Sequence, residues 1–148
     1  MNPTCIRAAQ ANDLEQVIEL CTEHAAYERA TIEPPSMSRL HAALFNEPPR
    51  LHVWVAAYAD QLIGYASATV DFSTWSAREF LYLDCLYVRD AHRGHAIGRS
   101  LIDAVIEHAA ALGIHELQWQ TPNWNVDAQR FYARLGASAA NKVRFTMK

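Results

Sequence analysis

The sequence predicts an α+β fold, a mixed and mostly antiparallel sheet of about six to seven strands with helices on both faces. Three observations predict it. Three apolar segments, 51–59, 62–70 and 79–88, follow one another with only short polar stretches between them, as antiparallel strands do. The third runs through a polar connection into an amphipathic helical stretch and then another strand, a strand–helix–strand crossover. The 148 residues, 51% hydrophobic and 20% charged, suit a single domain over 1–148 with its own core.

The elements follow in order. "CIR" (Cys5–Arg7) reads as a short first strand. Asn12 or Asp13 can cap a helix on which Leu14, Val17, Ile18 and Cys21 recur at helical spacing. "EPPSMS" breaks the chain, and Ser38 can cap a second, short helix carrying Leu40, Leu44 and Phe45. Segments 51–59 and 62–70 are joined by Asp60–Gln61, short enough for a hairpin turn. "DFSTWSA" reads as a polar-aromatic loop, and 79–88 as a central strand. Beyond it Leu101, Ile102, Val105, Ile106, Ala109 and Leu112 form an apolar stripe opposite Arg99, Asp103 and Glu107, with Gly113 at the C′ position. Residues 115–120 read as a strand, 125–136 as a helix closed by Gly136. In "KVRFTMK" the alternation of Val143, Phe145 and Met147 predicts a final strand.

Composition excludes several functions. A net charge of −3 is not that of a nucleic-acid binder. No apolar run approaches the ~18 residues of a spanning helix, and the start shows no apolar signal-peptide core, so no membrane partner is expected. Cys5, Cys21 and Cys85 make no disulfide framework, which suits a reducing, cytoplasmic setting. The seven histidines show no paired ligand spacing, so no metal is expected; His24, His41, His52, His108 and His115 read as surface or partly packed residues.

The segment "DAHRGHAIGRSL" (Asp90–Leu101) carries the chemistry. A helix start leaves about four backbone N–H groups unpaired, and with the helix dipole these favour an anion. Gly94 and Gly98 let a bulky anion approach the backbone, while His92, Arg93, His95 and Arg99 add charge. The spacing is neither that of a dinucleotide site nor that of a P-loop. On these residues alone an anion site and a plain polar turn both remain open.

"RGHAIG" (Arg93–Gly98) resembles the [QR]-x-x-G-x-[GA] loop of the GNAT N-acetyltransferase superfamily, with Ala96 in place of the first motif glycine. "IRAAQANDLEQVIELCTEHAAYE", "LYLDCLYV", "NWN" and "FYARLGA" resemble, in order and spacing, its spermidine/spermine N-acetyltransferase-like branch. The resemblance implies the GNAT fold, acetyl-CoA as cosubstrate and direct acetyl transfer to an amine. It places the coenzyme on Arg93, Gly94, His95, Ala96, Ile97, Gly98 and Arg99, on the backbone of Leu86, Tyr87 and Val88, and on Asn125, Ala128 and Tyr132. The methyl of Ala96 is expected to point away from the phosphates. Tyr132 is expected to protonate the leaving thiolate. Asp84 is expected as the base or as an anchor for the cationic amine, with Cys85 where the branch carries a second acid. Cys85 itself reads as a small core residue rather than a nucleophile. Tyr27, Glu28, Asp84, Cys85 and Trp75 are expected at the acceptor.

The reading that follows is an N-acetyltransferase for a small primary amine: a diamine, a polyamine or a thialysine-like amino compound. Acetylation of a protein N-terminus or lysine, and a non-catalytic acyl-CoA sensor, are the rival readings. The resemblance also implies a homodimer.

Overall fold

The computed structural model describes residues 3–148. Its sheet has five strands: β1 (Cys5–Ala8), β2 (His52–Tyr58), β3 (Gln61–Ser73), β4 (Arg78–Val88) and β5 (Leu117–Gln118), in the order β1-β2-β3-β4-β5. The first four are antiparallel, and β5 joins β4 in parallel. Helices α1 (Leu14–Tyr27) and α2 (Met37–Phe45) cover one face, and α3 (Ile97–Ala111) covers the other. The two-residue period of β2 divides the core: Val53 and Val55 pack under α1, Trp54 and Ala56 under α3. Helix α4 (Val126–Arg134) adds Phe131 and Tyr132 to the α3 side.

Local chemistry sets the boundaries. A 3₁₀ turn at Ala11–Asp13 precedes α1, and the Asp13 carboxylate accepts from the Gln10 N–H at 2.7 Å. Asp13 is buried, and a fork of bonds from Arg7 at 2.6 and 3.0 Å holds its carboxyl below the usual carboxylate range. Ser36, not Ser38, caps α2: its hydroxyl accepts from the Arg39 N–H, the third residue of the helix. Gly113 and Gly136 end α3 and α4 at φ +73° and +93° with paired 6→1 and 5→2 hydrogen bonds.

The strand count falls short of the six to seven expected. Residues 143–147 lie in no strand, and Val143, Phe145 and Met147 are exposed. Their alternation is real, but these residues join no strand of the sheet, and alternation alone does not make a strand. β5 keeps only two of the residues 115–120, because its ladder with β4 ends at Tyr82–Gln118. The first three residues of the expected "DFSTWSA" loop are strand instead: β3 and β4 pair out to Ser73–Arg78, leaving residues 74–77 as the hairpin tip.

A β-bulge shapes β4. Ser67 opposes Cys85 and Ala68 opposes Leu83, so Asp84 is the extra residue. The bulge reverses the alternation: Leu81 and Leu83 face α3 before it, Leu86 and Val88 after it, while Cys85 and Tyr87 turn to α1. Beyond Tyr82 no strand among the described residues flanks the β5 side of β4. The sheet therefore opens there into a cleft, with α1 on one side and α4 on the other.

Candidate active site

The cleft is walled by aromatic and charged residues from four elements. Tyr27, at the end of α1, lies with its ring 6.1 Å from Tyr87 of β4 and 6.4 Å from Trp124 of the β5–α4 loop. Across the cleft Tyr132 of α4 packs at 5.3 Å against Trp119 and 5.4 Å against Phe131. Burial, then the Glu28 carboxylate and the Tyr27 phenol, push the Tyr132 hydroxyl up to about 12. Glu28, rather than Asp84, is thus the carboxylate that bears on Tyr132. Arg89 grips Glu23 at 2.7 and 3.0 Å, locking α1 against the end of β4 and fixing where Tyr27 and Glu28 stand.

The loop before α3 presents backbone donors. Ala96 is the N-cap and Ser100 makes the first backbone bond back to its carbonyl, leaving the N–H groups of Ile97, Gly98 and Arg99 without helical partners. Gly94, His95 and Arg99 are exposed around them, and Ile97 is buried beneath. A Cβ on Gly98 would sit 3.4 Å from Phe131, so the small residue lets α3 pass close to α4.

Arg93 departs from its expected place as a free cation. Its Nε donates to the Val88 carbonyl at 2.8 Å and its Nη1 to Asp90 at 3.1 Å, with the guanidinium 4.4 Å over the Tyr27 ring. It staples the loop to β4 and α1. The Val88 carbonyl is consequently engaged, whereas Leu86 and Tyr87 lie on the stretch of β4 unpaired on the β5 side. Asn125 is also partly committed. It is buried, and its Oδ1 caps α4 by accepting from the Ala128 N–H at 3.2 Å, leaving its side-chain NH₂ as the group able to reach a ligand.

Ala96 adopts φ +60° and ψ +17°, a left-handed conformation that suits glycine. For an L-residue this costs about 1–2 kcal/mol, against roughly 0.4–1 kcal/mol for the extra freedom glycine has when unfolded. Ala96→Gly is therefore expected to raise the melting temperature by about 2–4 °C, as ~0.5–1 kcal/mol does for a chain of this size. The Michaelis constant for acetyl-CoA should move less than about threefold, well under a 1.4 kcal/mol decade. Calorimetry and initial-rate kinetics check the two halves.

On the α1 face Asp84, exposed at its bulge, accepts from the Cys85 thiol at 3.7 Å. Burial and then the Asp84 charge push that thiol up to about 11, the opposite of what a nucleophile needs. Trp75 does not join the cluster. It is 98% exposed at the β3–β4 hairpin tip, and the strand from Arg78 to Asp84 alone spans about 20 Å. Two residues that the sequence reading left out belong to the site. Arg29 places its guanidinium 3.8 Å over the Trp124 ring. His24 bridges Tyr65 and Glu28; its spacing of four from Glu28 on a helix was the available signal. Among the described residues no group of three or more His, Cys, Asp or Glu is placed to hold a metal ion.

With this geometry in place, the comparisons with known proteins are specific. The family model described as Acetyltransferase (GNAT) family matches residues 12–137. The thialysine N-epsilon-acetyltransferase of Bos taurus is 32% identical over 141 residues, covering 89% of this chain and 82% of that protein. The D-amino-acid N-acetyltransferase of Saccharomyces cerevisiae is 28% identical over 144 residues, covering 95% and 88%. A solved aminoglycoside N-acetyltransferase in complex with CoA matches with a TM-score of 0.82 over 100% of this chain and 96% of that one; at 20% identity the likeness is one of fold.

Proposed function

Since the chain belongs to the acetyltransferase (GNAT) family and is an acetyl-CoA-dependent N-acetyltransferase, we propose that it acetylates the primary amine of a small, amino-acid-like molecule by direct transfer. The observation that carries the proposal is the half-buried Tyr132 packed against Trp119 and Phe131 at the cleft, its hydroxyl raised to about 12 by burial and then by Glu28. In this reading the N–H groups of Ile97, Gly98 and Arg99 hold the pyrophosphate at the helix start. The free stretch of β4 at Leu86 and Tyr87 pairs with the pantetheine amides as an added strand would. A backbone N–H there polarises the thioester carbonyl.

Asp84 or Glu28 takes the proton of the incoming ammonium. The amine nitrogen then attacks the thioester carbonyl, Tyr132 protonates the sulfur as the C–S bond breaks, and the second proton lost from the nitrogen as the amide forms returns to the Tyr132 phenolate. The products are the amide and the free thiol, with no acetyl-cysteine between them.

Two charges narrow the acceptor. Glu28 suits a cationic amine, while Arg29 stands over Trp124 in no ion pair among the described residues. A substrate carrying a carboxylate as well as an amine answers both, better than a polyamine does. The similarity to enzymes for thialysine and for D-amino acids agrees with this.

We place the enzyme in the cytoplasm on its three free cysteines, and as a homodimer on the exposed alternation of Val143, Phe145 and Met147, which a second chain could pair with. No described helix is long and apolar enough to cross a membrane. The deciding experiment is release of free thiol from acetyl-CoA across a panel of amino acids, diamines, polyamines and aminoglycosides. Turnover led by a diamino acid is the expected result. Turnover of none, or only of peptides, overturns the proposal.

A further inference from the structure

His24 lies one helical turn before Glu28, and its two ring nitrogens face different partners. Nε2 is 3.0 Å from Glu28 Oε2, and Nδ1 is 2.9 Å from the Tyr65 hydroxyl. The ring is held flat on Tyr87 at 5.2 Å and edge-on to Tyr65 at 5.8 Å. The chemistry of the partners sets the direction of these bonds. An ionised carboxylate only accepts, so Nε2 carries the hydrogen. In the neutral imidazole Nδ1 then accepts, and the Tyr65 hydroxyl donates. Burial and the neighbouring Cys85 and Cys21 keep the Tyr65 phenol protonated, so it has a hydrogen to give to Nδ1. With the ring neutral, the donors run one way, Tyr65 to His24 to Glu28.

The chain also runs outward. Tyr65 is 2% exposed, the His24 side chain 12% and the Glu28 side chain 35%. Its open end is the carboxylate that acts on Tyr132. Glu28 stands at the C-cap of α1, where the helix dipole disfavours a negative charge. A salt-bridging helix would not place an acid there for its own stability. His24 holds one oxygen, and Oε1 has no partner among the described residues.

We propose that His24 is a positioning residue of the acceptor site: braced by the buried Tyr65 hydroxyl, it holds the Glu28 carboxylate in the one orientation that leaves Oε1 facing the incoming ammonium. This rests on the amine-acetyltransferase reading above and adds to it the residue that orients the acceptor.

The test takes the best amine from the panel and compares His24→Leu, His24→Gln, Glu28→Gln and the double variant His24→Leu/Glu28→Gln. His24→Leu should raise the amine Michaelis constant by about tenfold, the size expected for losing one charge-assisted hydrogen bond. The Michaelis constant for acetyl-CoA should stay within about twofold. His24→Gln, whose amide can still donate to Glu28, should recover most of the loss. In the Glu28→Gln background His24→Leu should add little. An unchanged amine constant, an equal rise for acetyl-CoA, or a full further loss in the double variant overturns the role of His24. A second measurement needs no turnover. Long-range ¹⁵N–¹H NMR should find His24 with its proton on Nε2, and Glu28→Gln should shift that signal; a proton on Nδ1 alone overturns the inference. If no amine is acetylated while the tautomer is as stated, the functional reading fails and the hydrogen-bonded chain stands.

Discussion

Tyr132→Phe is expected to lower kcat by about 10²- to 10³-fold, the usual scale for removing a general acid, while the dissociation constant for CoA stays within about twofold. The substitution removes one oxygen and keeps the ring packed on Trp119 and Phe131. Folding and coenzyme binding should therefore survive, and the loss should sit in the chemical step. A phenol pushed up to about 12 remains protonated throughout the neutral range, as a proton donor to a leaving thiolate must. The alkaline limb of kcat should accordingly lie above the ordinary phenol value of about 10. Because Glu28 contributes to that rise, Glu28→Gln should bring the limb back down. The same shift has a stability sign. The folded state holds the Tyr132 proton more tightly than the unfolded chain, so the associated stability is complete below pH about 10 and is lost as pH climbs towards 12. Steady-state rates over pH, with calorimetric binding of CoA, check the prediction. A Tyr132→Phe enzyme within about threefold of wild type would remove Tyr132 as the acid.

The sequence was legible where local rules act alone. Periodicity placed α1, α3 and the β2–β3–β4 meander, and Gly113 and Gly136 marked two helix ends that close as Schellman turns. Resemblance supplied the expectation of a coenzyme loop at Arg93–Arg99. What escaped depends on partners distant in the chain. A strand bulge at Asp84 is a reading the sequence allows, but only the pairing, with Ser67 opposite Cys85 and Ala68 opposite Leu83, fixes it. Val143, Phe145 and Met147 alternate as a strand should, yet alternation cannot supply the neighbour a strand needs. Arg93 reads as a phosphate cation from the loop alone; only the fold brings Val88, Asp90 and Tyr27 around its guanidinium. His24 read as a packing residue because Tyr65, its second partner, lies 41 positions away. Ala96 was visible as an oddity in the motif, but its cost became clear only with φ at +60°.

Gly64 has the largest expected effect on stability, and nothing in its neighbourhood of sequence marks it. A Cβ there would stand 2.8 Å from the Tyr87 carbonyl oxygen and 3.3 Å from Val88 Cγ2. The first is a backbone atom in a paired strand, which cannot swing aside as a side chain could. Gly64 pairs with Val88 and with Ala56, so it sits between two ladders of the same sheet and moving it strains both. Gly64→Ala should therefore cost about 2–3 kcal/mol, the upper part of the range for overpacking a core, and lower the melting temperature by roughly 6–12 °C. The damage has a direction as well as a size. The strand pushed away is β4 at Tyr87 and Val88, where the cleft edge, the Arg93 staple and the start of the loop before α3 meet. Affinity for CoA should fall together with stability, whereas Gly113→Ala, at a φ of +73° with open space around it, should cost stability and leave CoA affinity intact. Thermal unfolding and CoA titration on the two variants separate these outcomes. A Gly64→Ala protein with native melting and native CoA affinity would mean that the β3–β4 spacing does not shape the cleft.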